Sequence, residues 1–460
     1  MKGFKAYDIR GIYGKDFNKE DAYKIGFFLP RLLETDSVLV GRDVRESSEI
    51  LFSSLAAGIN DAGADVYDMG IATTPMVYFG TARFGFDASV QITASHNPKE
   101  YNGFKVSKTG ALPVGYYSGL SELERMVEEE RPEPAAAKAD TAAKDNTEGK
   151  KKRGEIKPFD VLTTYKDFLR SYVPKSLDNI DVTIDCSNGM ASLLIHELLG
   201  DKPKYIYDTL DGTFPNHAPN PLEEENVEDL KKEVLERGSD LGIIFDGDAD
   251  RVMFVDEKGN FVPPDLIIGV LARFFLKKEK GNVLQDIRTS RSVSDYVKKL
   301  GGTPHTWKVG HAFAKLKLRE IDGIFGGELA GHYYFRDFYY CDSGILAALL
   351  VLRTAVEIKR EGKNFSSLID EIRRYANSGE INFRIEKKEE AMETLKEYYT
   401  SRTKPDALLD FDGYRIEYPT WWFNVRPSNT EPYLRLVVEA ADKKELSERV
   451  HEIKEILSSF

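Results

Sequence analysis

Three aspartates alternate with small residues directly after an apolar run at 241–245. Asp246, Asp248 and Asp250 stand at i, i+2 and i+4 in the sequence Asp-Gly-Asp-Ala-Asp-Arg. Carboxylates this close repel one another unless a cation neutralises them, and hard oxygen ligands suit Mg²⁺. The motif therefore predicts a magnesium site at the end of a strand. A solvated acidic turn is the plainer alternative.

A calcium-binding loop is a second alternative, because Glu257 falls at the twelfth position counted from Asp246. In such a loop a glycine occupies the sixth position and a helix precedes it. Here Arg251 replaces that glycine, and a strand pattern precedes the loop. The sequence therefore disfavours calcium.

A serine follows shortly after a second apolar strand pattern, at 88–93. Ser95 has His96 and Asn97 beside it, and Pro98 restricts the turn that follows. A serine so placed is a candidate nucleophile. Taken alone, a Ser-His-Asn-Pro turn is also ordinary turn chemistry.

Hydrogen-bond donors cluster in the sequence Arg426-Pro-Ser-Asn-Thr-Glu-Pro432. One arginine, two hydroxyls and an amide lie within five residues, and Arg435 follows shortly after. Such a loop matches the acceptor oxygens of a phosphate. The alternative is a hydrophilic turn before a strand at 433–439.

A glycine-flanked segment, Gly327-Glu-Leu-Ala-Gly-His332, supplies a carboxylate and an imidazole. Glu328 is a candidate acceptor for sugar hydroxyls, and His332 is a candidate for phosphate binding or proton transfer. Isolated polar residues elsewhere are weaker candidates, each of which can be a plain surface group: Tyr7, Arg10, Lys105, Arg288, His311 and Lys315.

The sequence contains no recognisable nucleotide-binding or zinc-binding motif. No Gly-x-Gly-x-x-Gly fingerprint opens a helix, and no Walker lysine loop is present. The seven histidines and two cysteines form no zinc pattern. Nucleotide binding by either route and a zinc site are therefore unsupported.

The elements that must position these residues alternate between strand and helix patterns. Strands are predicted at 37–41, 65–67, 88–93, 180–184, 241–245 and 433–439, and helices at 48–62, 191–199, 226–237 and 443–458. A hairpin is predicted at 256–260. This alternation is typical of α/β layers with mostly parallel sheets.

The bulk properties limit the class of protein. A chain of 460 residues is too long to fold around a single hydrophobic core. At about 150 residues per domain, it should form about three domains. A net charge of −12 argues against a nucleic-acid binder. Two cysteines imply no disulfide framework, and no apolar stretch reaches the length of a membrane span. We expect a cytoplasmic protein.

Residues 131–154 interrupt the alternation. They contain no aromatic residue and no apolar residue larger than alanine. Such a segment cannot bury enough surface to offset its ordering entropy, so we predict a flexible linker or loop. The basic run 150–153 within it is predicted to be solvated rather than a nucleic-acid patch.

The four segments around Ser95, Asp246, Glu328 and Arg426, in this order, resemble the α-D-phosphohexomutase family, in its phosphomannomutase/phosphoglucomutase branch. The resemblance runs from residue 6 to residue 432. It implies three α/β domains with mixed sheets and a smaller C-terminal α+β domain around a central cleft. We place these domains at 1–155, 156–257, 258–368 and 369–460.

The resemblance also implies roles for single residues. Ser95 would be the phosphoserine and would share Mg²⁺ with Asp246, Asp248 and Asp250, while Arg251 would brace its phosphate. His96 and Lys105 would lie near the proton transfers. The residues implied to bind the substrate, or to lie beside it, are Tyr7, Arg10, Arg288, His311, Glu328, His332, Arg426, Ser428, Asn429, Thr430 and Arg435.

The implied reaction interconverts hexose 1-phosphate and hexose 6-phosphate, of mannose or glucose, through a bound hexose 1,6-bisphosphate. We predict that Arg251 and other cations lower the pKa of Lys105, so that it can exchange a proton. Ala330 stands where the family usually has a serine, which puts the sugar preference in question. A phosphatase, a phosphoglucosamine mutase and a non-catalytic sensor stay open as alternatives. A monomer or homodimer is expected.

Overall fold

The computed structural model describes residues 1–134, 152–428 and 433–460. Most of the predicted linker, together with Asn429 and Thr430, lies outside these residues. The chain divides into two compact units. Unit 1 comprises Met1–Val262 and Gly331–Phe365, and unit 2 comprises Pro263–Ala330 and Ser366–Phe460. None of the helices in the described parts of the chain has both the length and the apolar character that a membrane span requires.

The first sheet of unit 1 is mixed and has the order β1-β5-β4-β2-β3-β7, with β6 beside β5. Its strands are β1 (Ile9–Ile12), β2 (Ser37–Arg42), β3 (Asp65–Ile71), β4 (Ala88–Ile92), β5 (Tyr101–Lys108), β6 (Leu112–Pro113) and β7 (Ile156–Pro158). The helices between them are α1 (Lys19–Leu32), α2 (Ser48–Asp61), α3 (Thr74–Phe84) and α4 (Leu120–Glu129). Strand β2 pairs in parallel with β3 and β4, whereas β5 runs antiparallel to β4.

Apolar side chains from this sheet and its helices form a hydrophobic core. The sheet contributes Val40 and Val90, and α1 and α2 contribute Ile25 and Leu55, all fully buried. Strands whose central residues are buried, such as β4 with all five residues buried, need cover on both faces. The core therefore fixes the carboxyl end of β4, which leads directly to Ser95.

The second sheet of unit 1 has the order β12-β11-β10-β8-β9. Its strands are β8 (Val182–Asp185), β9 (Lys204–Ile206), β10 (Leu241–Phe245), β11 (Val252–Asp256) and β12 (Phe261–Val262). The helices are α5 (Leu162–Arg170), α6 (Ile195–Leu199) and α7 (Glu228–Arg237). The three aspartates occupy the turn between the antiparallel strands β10 and β11.

A parallel group of strands lies in unit 2, with β13 between β14 and β15. The elements here are α8 (Pro264–Phe275), β13 (Asn282–Asp286), α9 (Arg291–Lys299), β14 (Thr303–Trp307), α10 (His311–Glu320) and β15 (Phe325–Gly327). The chain then enters unit 1 with the antiparallel pair β16 (Tyr333–Phe335) and β17 (Cys341–Asp342) and the buried helix α11 (Gly344–Arg360).

The C-terminal sheet is antiparallel throughout its described pairings and has the order β18-β22-β21-β20-β19. Its elements are β18 (Ala376–Phe383), β19 (Ala407–Leu409), β20 (Tyr414–Glu417), β21 (Trp421–Pro427) and β22 (Leu434–Ala440). The helices are α12 (Phe365–Ile372), α13 (Lys388–Arg402) and α14 (Lys443–Leu457). An aromatic and aliphatic core that includes Trp421, Phe423 and Leu395 holds sheet and helices together.

The predicted α/β class, with three α/β sheets and a separate C-terminal sheet, is confirmed. Two details differ from the prediction. The helix predicted at 191–199 is a 3₁₀ turn at Met190–Leu193 followed by α6, because Leu194 departs from helical geometry. Strand β7 pairs with β3, so the first sheet extends past the boundary predicted at residue 155. The other domain boundaries stay predictions.

Candidate active site

Ser95 lies in a loop that leaves β4 and returns as β5, and it is 3% exposed. Its hydroxyl Oγ is 3.1 Å from Asp246 Oδ2, on a turn 151 residues further along the chain. The backbone of Ser95 has a φ of +52°, which a non-glycine residue adopts at a cost. The serine is therefore held in a strained conformation with its hydroxyl beside the aspartate turn.

Gly247 permits this close approach between the serine loop and the aspartate turn. A Cβ atom at Gly247 would lie 2.5 Å from the carbonyl oxygen of Ser95. Behind the turn, Gly189 makes a similar approach, since a Cβ there would lie 2.8 Å from the carbonyl oxygen of Gly247. A side chain at Gly247 would force the serine loop away from the aspartate turn, and one at Gly189 would force its own segment away from the same turn.

The side chains of Asp246, Asp248 and Asp250 converge, each with an oxygen within 4.8 Å of the others. All three are fully buried. Burial and the neighbouring carboxylates raise the pKa of Asp246. Asp248 Oδ1 and Asp250 Oδ1 have no hydrogen-bond partner among the described residues. Buried, unpaired carboxylate oxygens are costly, so this set of donors fits a hard divalent cation such as Mg²⁺.

Lys105, on β5, forms ion pairs with two of these aspartates. Its Nζ donates to Asp248 Oδ2 at 2.7 Å and to Asp250 Oδ2 at 2.5 Å. Burial by itself lowers the pKa of Lys105, but the two carboxylates outweigh it and raise the pKa. The lowered pKa predicted from the sequence is therefore wrong, because carboxylates and not Arg251 are its direct partners.

Arg251 closes the turn from the other side. Its Nε donates to Asp246 Oδ2 at 2.9 Å, and its backbone N–H donates to Asp246 Oδ1 at 3.1 Å. The guanidinium Nη2 is buried and has no hydrogen-bond partner in the described parts of the chain. Asp246 Oδ2 thus lies beside both the Ser95 hydroxyl and a cation with a spare donor.

His96 and Arg10 flank the serine. His96 Nδ1 is 3.4 Å from Ser95 Oγ. Burial, together with the charges of Arg251 and Arg10, lowers the pKa of His96 well below its ordinary value. Arg10 donates from Nη1 to Asn97 Oδ1 at 2.8 Å and pairs with Asp8. Tyr7 is half-buried and immediately precedes Asp8.

His332 belongs to the same group of side chains in unit 1. Its Nδ1 is 2.7 Å from Asp342 Oδ2 and 3.8 Å from Asp250 Oδ1. A backbone bridge between His332 and Arg251 holds the imidazole next to the aspartate turn. An aspartate bonded to a histidine fixes the orientation of the ring.

In unit 2, Glu328 is 2% exposed and accepts a hydrogen bond from Gly310 N–H at 2.8 Å through Oε1. Gly310 immediately precedes His311, which begins α10 and is half-buried. Leu329 N–H donates to Asp286 Oδ2 at 2.7 Å, which fixes the other side of the segment.

Two predicted substrate-binding arginines share one carboxylate. Arg288 pairs with Asp286 Oδ2 at 2.8 Å and with Glu380 Oε2 at 3.3 Å. Arg435 pairs with Glu380 Oε1 at 2.9 Å. Burial lowers the pKa of Arg288, but Asp286 and Glu380 outweigh it, so the pKa is raised and the guanidinium stays charged.

Arg426, 3% exposed on β21, donates from Nε to Asp412 Oδ1 at 3.2 Å. The second oxygen of Asp412 accepts from Val309 N–H at 2.8 Å. Ser428 follows, half-buried, and its N–H donates to the carbonyl oxygen of Tyr433. Asn429 and Thr430 lie outside the described residues.

Three contributors to the serine and aspartate loops were not predicted. Thr74 Oγ1 donates to Asp248 Oδ2 at 2.5 Å, and Asp342 holds His332. Arg45 donates to four carbonyl oxygens of the serine loop. Of these, only Arg45 has a sequence signal: it ends a charged run, Arg-Asp-Val-Arg, that follows the apolar strand β2.

Comparison with known proteins gives a match along nearly the whole chain. Four domain profiles of phosphoglucomutase/phosphomannomutase match: alpha/beta/alpha domains I, II and III at residues 1–132, 163–259 and 263–375, and the C-terminal domain at residues 380–456. The chain therefore belongs to the phosphoglucomutase/phosphomannomutase family.

Individual relatives agree with this result. A phosphomannomutase of Salmonella montevideo is 38% identical over 468 residues, which covers 99% of each chain. One from Methanocaldococcus jannaschii is 37% identical over 461 residues, covering 99% of this chain and 98% of the relative. A solved structure of a phosphoglucomutase/phosphomannomutase family protein from Burkholderia thailandensis has a TM-score of 0.86 at 27% identity, covering 100% of this chain and 97% of that one.

Proposed function

We propose that this chain is a phosphohexomutase that interconverts the 1- and 6-phosphates of mannose, glucose or both. In this proposal Ser95 carries the phosphoryl group and a hexose 1,6-bisphosphate is the bound intermediate. The observation that carries the proposal is the buried Ser95 hydroxyl, 3.1 Å from an aspartate in a cluster fit for a cation. The full-length match to phosphomannomutases supports the same reaction.

Asp246, Asp248 and Asp250, together with the Ser95 phosphate, would hold Mg²⁺. The unpaired oxygens of Asp248 and Asp250 and the all-oxygen donor set support this choice of metal. A bound Mg²⁺ would neutralise charge that builds up on the phosphoryl group during transfer.

Phosphoryl transfer depends mainly on positioning and on charge stabilisation. The bond between Ser95 Oγ and phosphorus breaks while a hydroxyl oxygen of the hexose forms a new bond to phosphorus. Arg251, with its spare Nη2 donor, is suited to hold an oxygen of the transferred group. The Lys105 ammonium adds a further positive charge beside Asp248 and Asp250.

The hexose hydroxyl must give up its proton as it is phosphorylated. Two imidazoles lie near the carrier: His96, 3.4 Å from Ser95 Oγ, and His332, held by Asp342. His332 is the proposed acceptor of the hexose proton, because Asp342 fixes its tautomer and the backbone bridge to Arg251 holds the ring beside the aspartate turn. His96 is the proposed partner of the Ser95 hydroxyl itself.

The residues of unit 2 would bind the part of the substrate that does not react. Glu328 would accept hydrogen bonds from sugar hydroxyls, and Arg288, His311 and Arg435 would lie near the substrate. Arg426, with Ser428, Asn429 and Thr430, would bind the other phosphate. A bisphosphate intermediate requires such a site, because either of its phosphates must be held while the other reacts.

The direct test is an assay of mannose 1-phosphate and glucose 1-phosphate with Mg²⁺ and a trace of glucose 1,6-bisphosphate. We expect turnover of at least one sugar, lowered about 10⁴-fold or more in Ser95→Ala because the carrier is lost. Ser89→Ala is the matched control. Ser89 is also fully buried, on the same strand β4 that leads to Ser95, but its Oγ accepts a hydrogen bond from Thr81 Oγ1 of α3 at 2.6 Å.

Several outcomes would redirect the proposal. Equal rates for Ser95→Ala and wild type would refute the carrier role. Net release of phosphate from hexose phosphate would indicate a phosphatase. Turnover of glucosamine phosphate alone would favour a phosphoglucosamine mutase. We also expect a monomer or homodimer in the cytoplasm.

A further inference from the structure

Arg45 lies after β2 and before α2, far in sequence from the serine loop. It is 2% exposed, and no part of its side chain reaches solvent. Burying a guanidinium is costly unless every donor finds an acceptor. The positions of its hydrogen-bond acceptors therefore identify the segment of the chain that this guanidinium stabilises.

All five N–H donors of the Arg45 guanidinium have acceptors. Nε donates to Asp43 Oδ2 at 3.1 Å. The other four bonds go to main-chain carbonyl oxygens of one short loop: Ser95 at 2.8 Å, Asn97 at 2.7 Å, Pro98 at 2.7 Å and Tyr101 at 3.2 Å. Four of the five donors thus bond carbonyl oxygens of the loop that carries Ser95.

This loop needs outside support. Ser95 adopts a positive φ of +52°, a conformation that persists only where surrounding contacts determine it. The local bonds of the loop are few: Ser95 N–H donates to Thr93 Oγ1 at 2.9 Å, Asn97 N–H to the carbonyl of Ala94 at 3.1 Å, and Tyr101 N–H to the carbonyl of Pro98 at 3.0 Å. The guanidinium fixes the carbonyl of Ser95 itself, and so the direction in which the serine side chain leaves the backbone.

Arg45 is held in turn by its own neighbours. Asp43 Oδ1 accepts from Arg45 N–H at 3.0 Å and from Ser48 Oγ at 2.6 Å. The ring of Phe214 lies 4.9 Å from the guanidinium carbon. A Cβ at Gly212 would lie 2.7 Å from the Cα of Arg45, so that segment also packs closely against it. The side chain therefore has one conformation available.

We propose that Arg45 is the positioning residue for the phosphoserine carrier: it holds the backbone of loop 95–101 so that Ser95 Oγ faces Asp246. This role rests on the proposed function of Ser95. Among the described residues Arg45 forms no hydrogen bond or ion pair with the aspartate cluster and interacts with Asp248 only through a longer-range Coulomb attraction, so its direct contacts are with the loop. A lysine cannot replace it, because one ammonium cannot reach four carbonyls that the planar guanidinium fork serves together.

The test compares Arg45→Lys with Arg42→Lys in the full-length protein. Arg42 is a matched control three residues away, whose ion pairs with Glu49 and Asp68 do not involve the serine loop. Two readouts are needed: hydrogen–deuterium exchange of the amides of 95–101, and the rate at which glucose 1,6-bisphosphate phosphorylates Ser95. KM and kcat for hexose phosphate complete the comparison.

For Arg45→Lys we expect faster exchange in 95–101 and a loss of about 100-fold in Ser95 phosphorylation and in kcat, since a shift of about 1 Å has that effect. KM for the hexose phosphate should change less than kcat, because unit 2 is untouched. Arg42→Lys should match wild type in both readouts. In Arg45→Ala, added guanidinium at millimolar concentration should restore phosphorylation more than ammonium does.

The inference fails if Arg45→Lys folds and its loop exchange and Ser95 phosphorylation match those of Arg42→Lys. If neither Arg45 variant folds, Asp43→Asn takes its place, since it weakens the bond to Nε. Normal exchange and phosphorylation in that variant would also overturn the inference. A wild type that never phosphorylates Ser95 would instead refute the proposed function, while loop exchange would still decide whether Arg45 positions the loop.

Discussion

Charged side chains are arranged differently in the two compact units. In unit 1, three buried aspartates converge. Among the described residues, Lys105 and Arg251 form ion pairs with them, and His332 Nδ1 lies 3.8 Å from Asp250 Oδ1. In unit 2, the predicted substrate-binding arginines each have a carboxylate partner: Arg288 with Asp286, Arg426 with Asp412, and Arg435 with Glu380.

This difference indicates what each unit is prepared to bind. The group in unit 1 has more carboxylates than cations and leaves two carboxylate oxygens without hydrogen bonds, so an added cation would stabilise it. The predicted substrate-binding arginines in unit 2 are already paired with carboxylates, so a phosphate that bound there would have to compete with or join an existing pair. We expect the first site to retain its ion tightly and the second to exchange its anion readily.

Among the substitutions that test this difference between the two units, Asp248→Asn should have the largest effect. Loss of one carboxylate removes the excess negative charge of the cluster, so turnover should fall about 10³-fold, equivalent to several kcal/mol of lost metal assistance. Steady-state kinetics, with Mn²⁺ binding followed by electron paramagnetic resonance, measures both consequences.

Asp256→Asn is the control for this substitution. Asp256 is also buried, at the end of strand β11 in the same sheet, but it accepts hydrogen bonds from the turn residues Lys258 and Asn260. It should keep both turnover and Mn²⁺ affinity. Unchanged Mn²⁺ binding in Asp248→Asn would show that the aspartates are not a metal site.

The next effect concerns Asp265, a buried carboxylate of unit 2. It accepts a hydrogen bond from Ser290 N–H at 2.9 Å and forms no ion pair with the described residues. Burial, with smaller contributions from Glu439 and Asp286, raises its pKa from 3.8 to about 6. Between these values Asp265 binds more protons in the folded chain than in the unfolded chain, so its contribution to stability falls as the pH rises from 4 to 6. Asp265→Asn keeps a neutral side chain and should escape that loss, which is up to about 3 kcal/mol.

Urea unfolding at pH 4, 5, 6 and 7 measures this effect. The free energy of unfolding of Asp265→Asn minus that of wild type should increase over this series. Asp370→Asn removes an exposed carboxylate from the same unit and controls for the loss of a charge. A difference that stays flat with pH would show that Asp265 is not titrating in this range.

The smallest effect should come from Arg426→Lys, which keeps the charge but loses the planar fork. If Arg426 binds the phosphate that does not react, kcat/KM should fall about 10-fold to 100-fold, the value of one or two charged hydrogen bonds, mostly through KM. Arg449→Lys changes another arginine of the C-terminal region and should leave kcat/KM unchanged. A loss confined to kcat would place Arg426 at the reacting group and contradict the contrast between the units.

Much of the fold and of the candidate site could be predicted. The strand at 241–245 coincides with β10, and the strand at 433–439 differs from β22 by one residue at each end. Local patterns suffice there because apolar runs bounded by polar turns determine strands. The predicted helix at 191–199 failed because a break at a single residue, Leu194, leaves no signal in the apolar pattern.

The site shows the same limit. Asp246, Asp248 and Asp250 could be recognised because their spacing alone forces them together. The direction of the Lys105 pKa shift was predicted wrongly, because it depends on partners 143 and 145 residues away. Its predicted neighbour, Arg251, instead pairs with Asp246.

By itself, the sequence determined the alternating strands and helices, the aspartate triplet and the order of four motifs that the family match bears out. Only the tertiary structure decided that Ser95 meets Asp246, that Lys105 is held by carboxylates, and that Arg45 bonds the serine loop. The reason is physical: propensity and periodicity act between near neighbours, whereas hydrogen bonds and Coulomb forces act between whichever groups the packed core brings together.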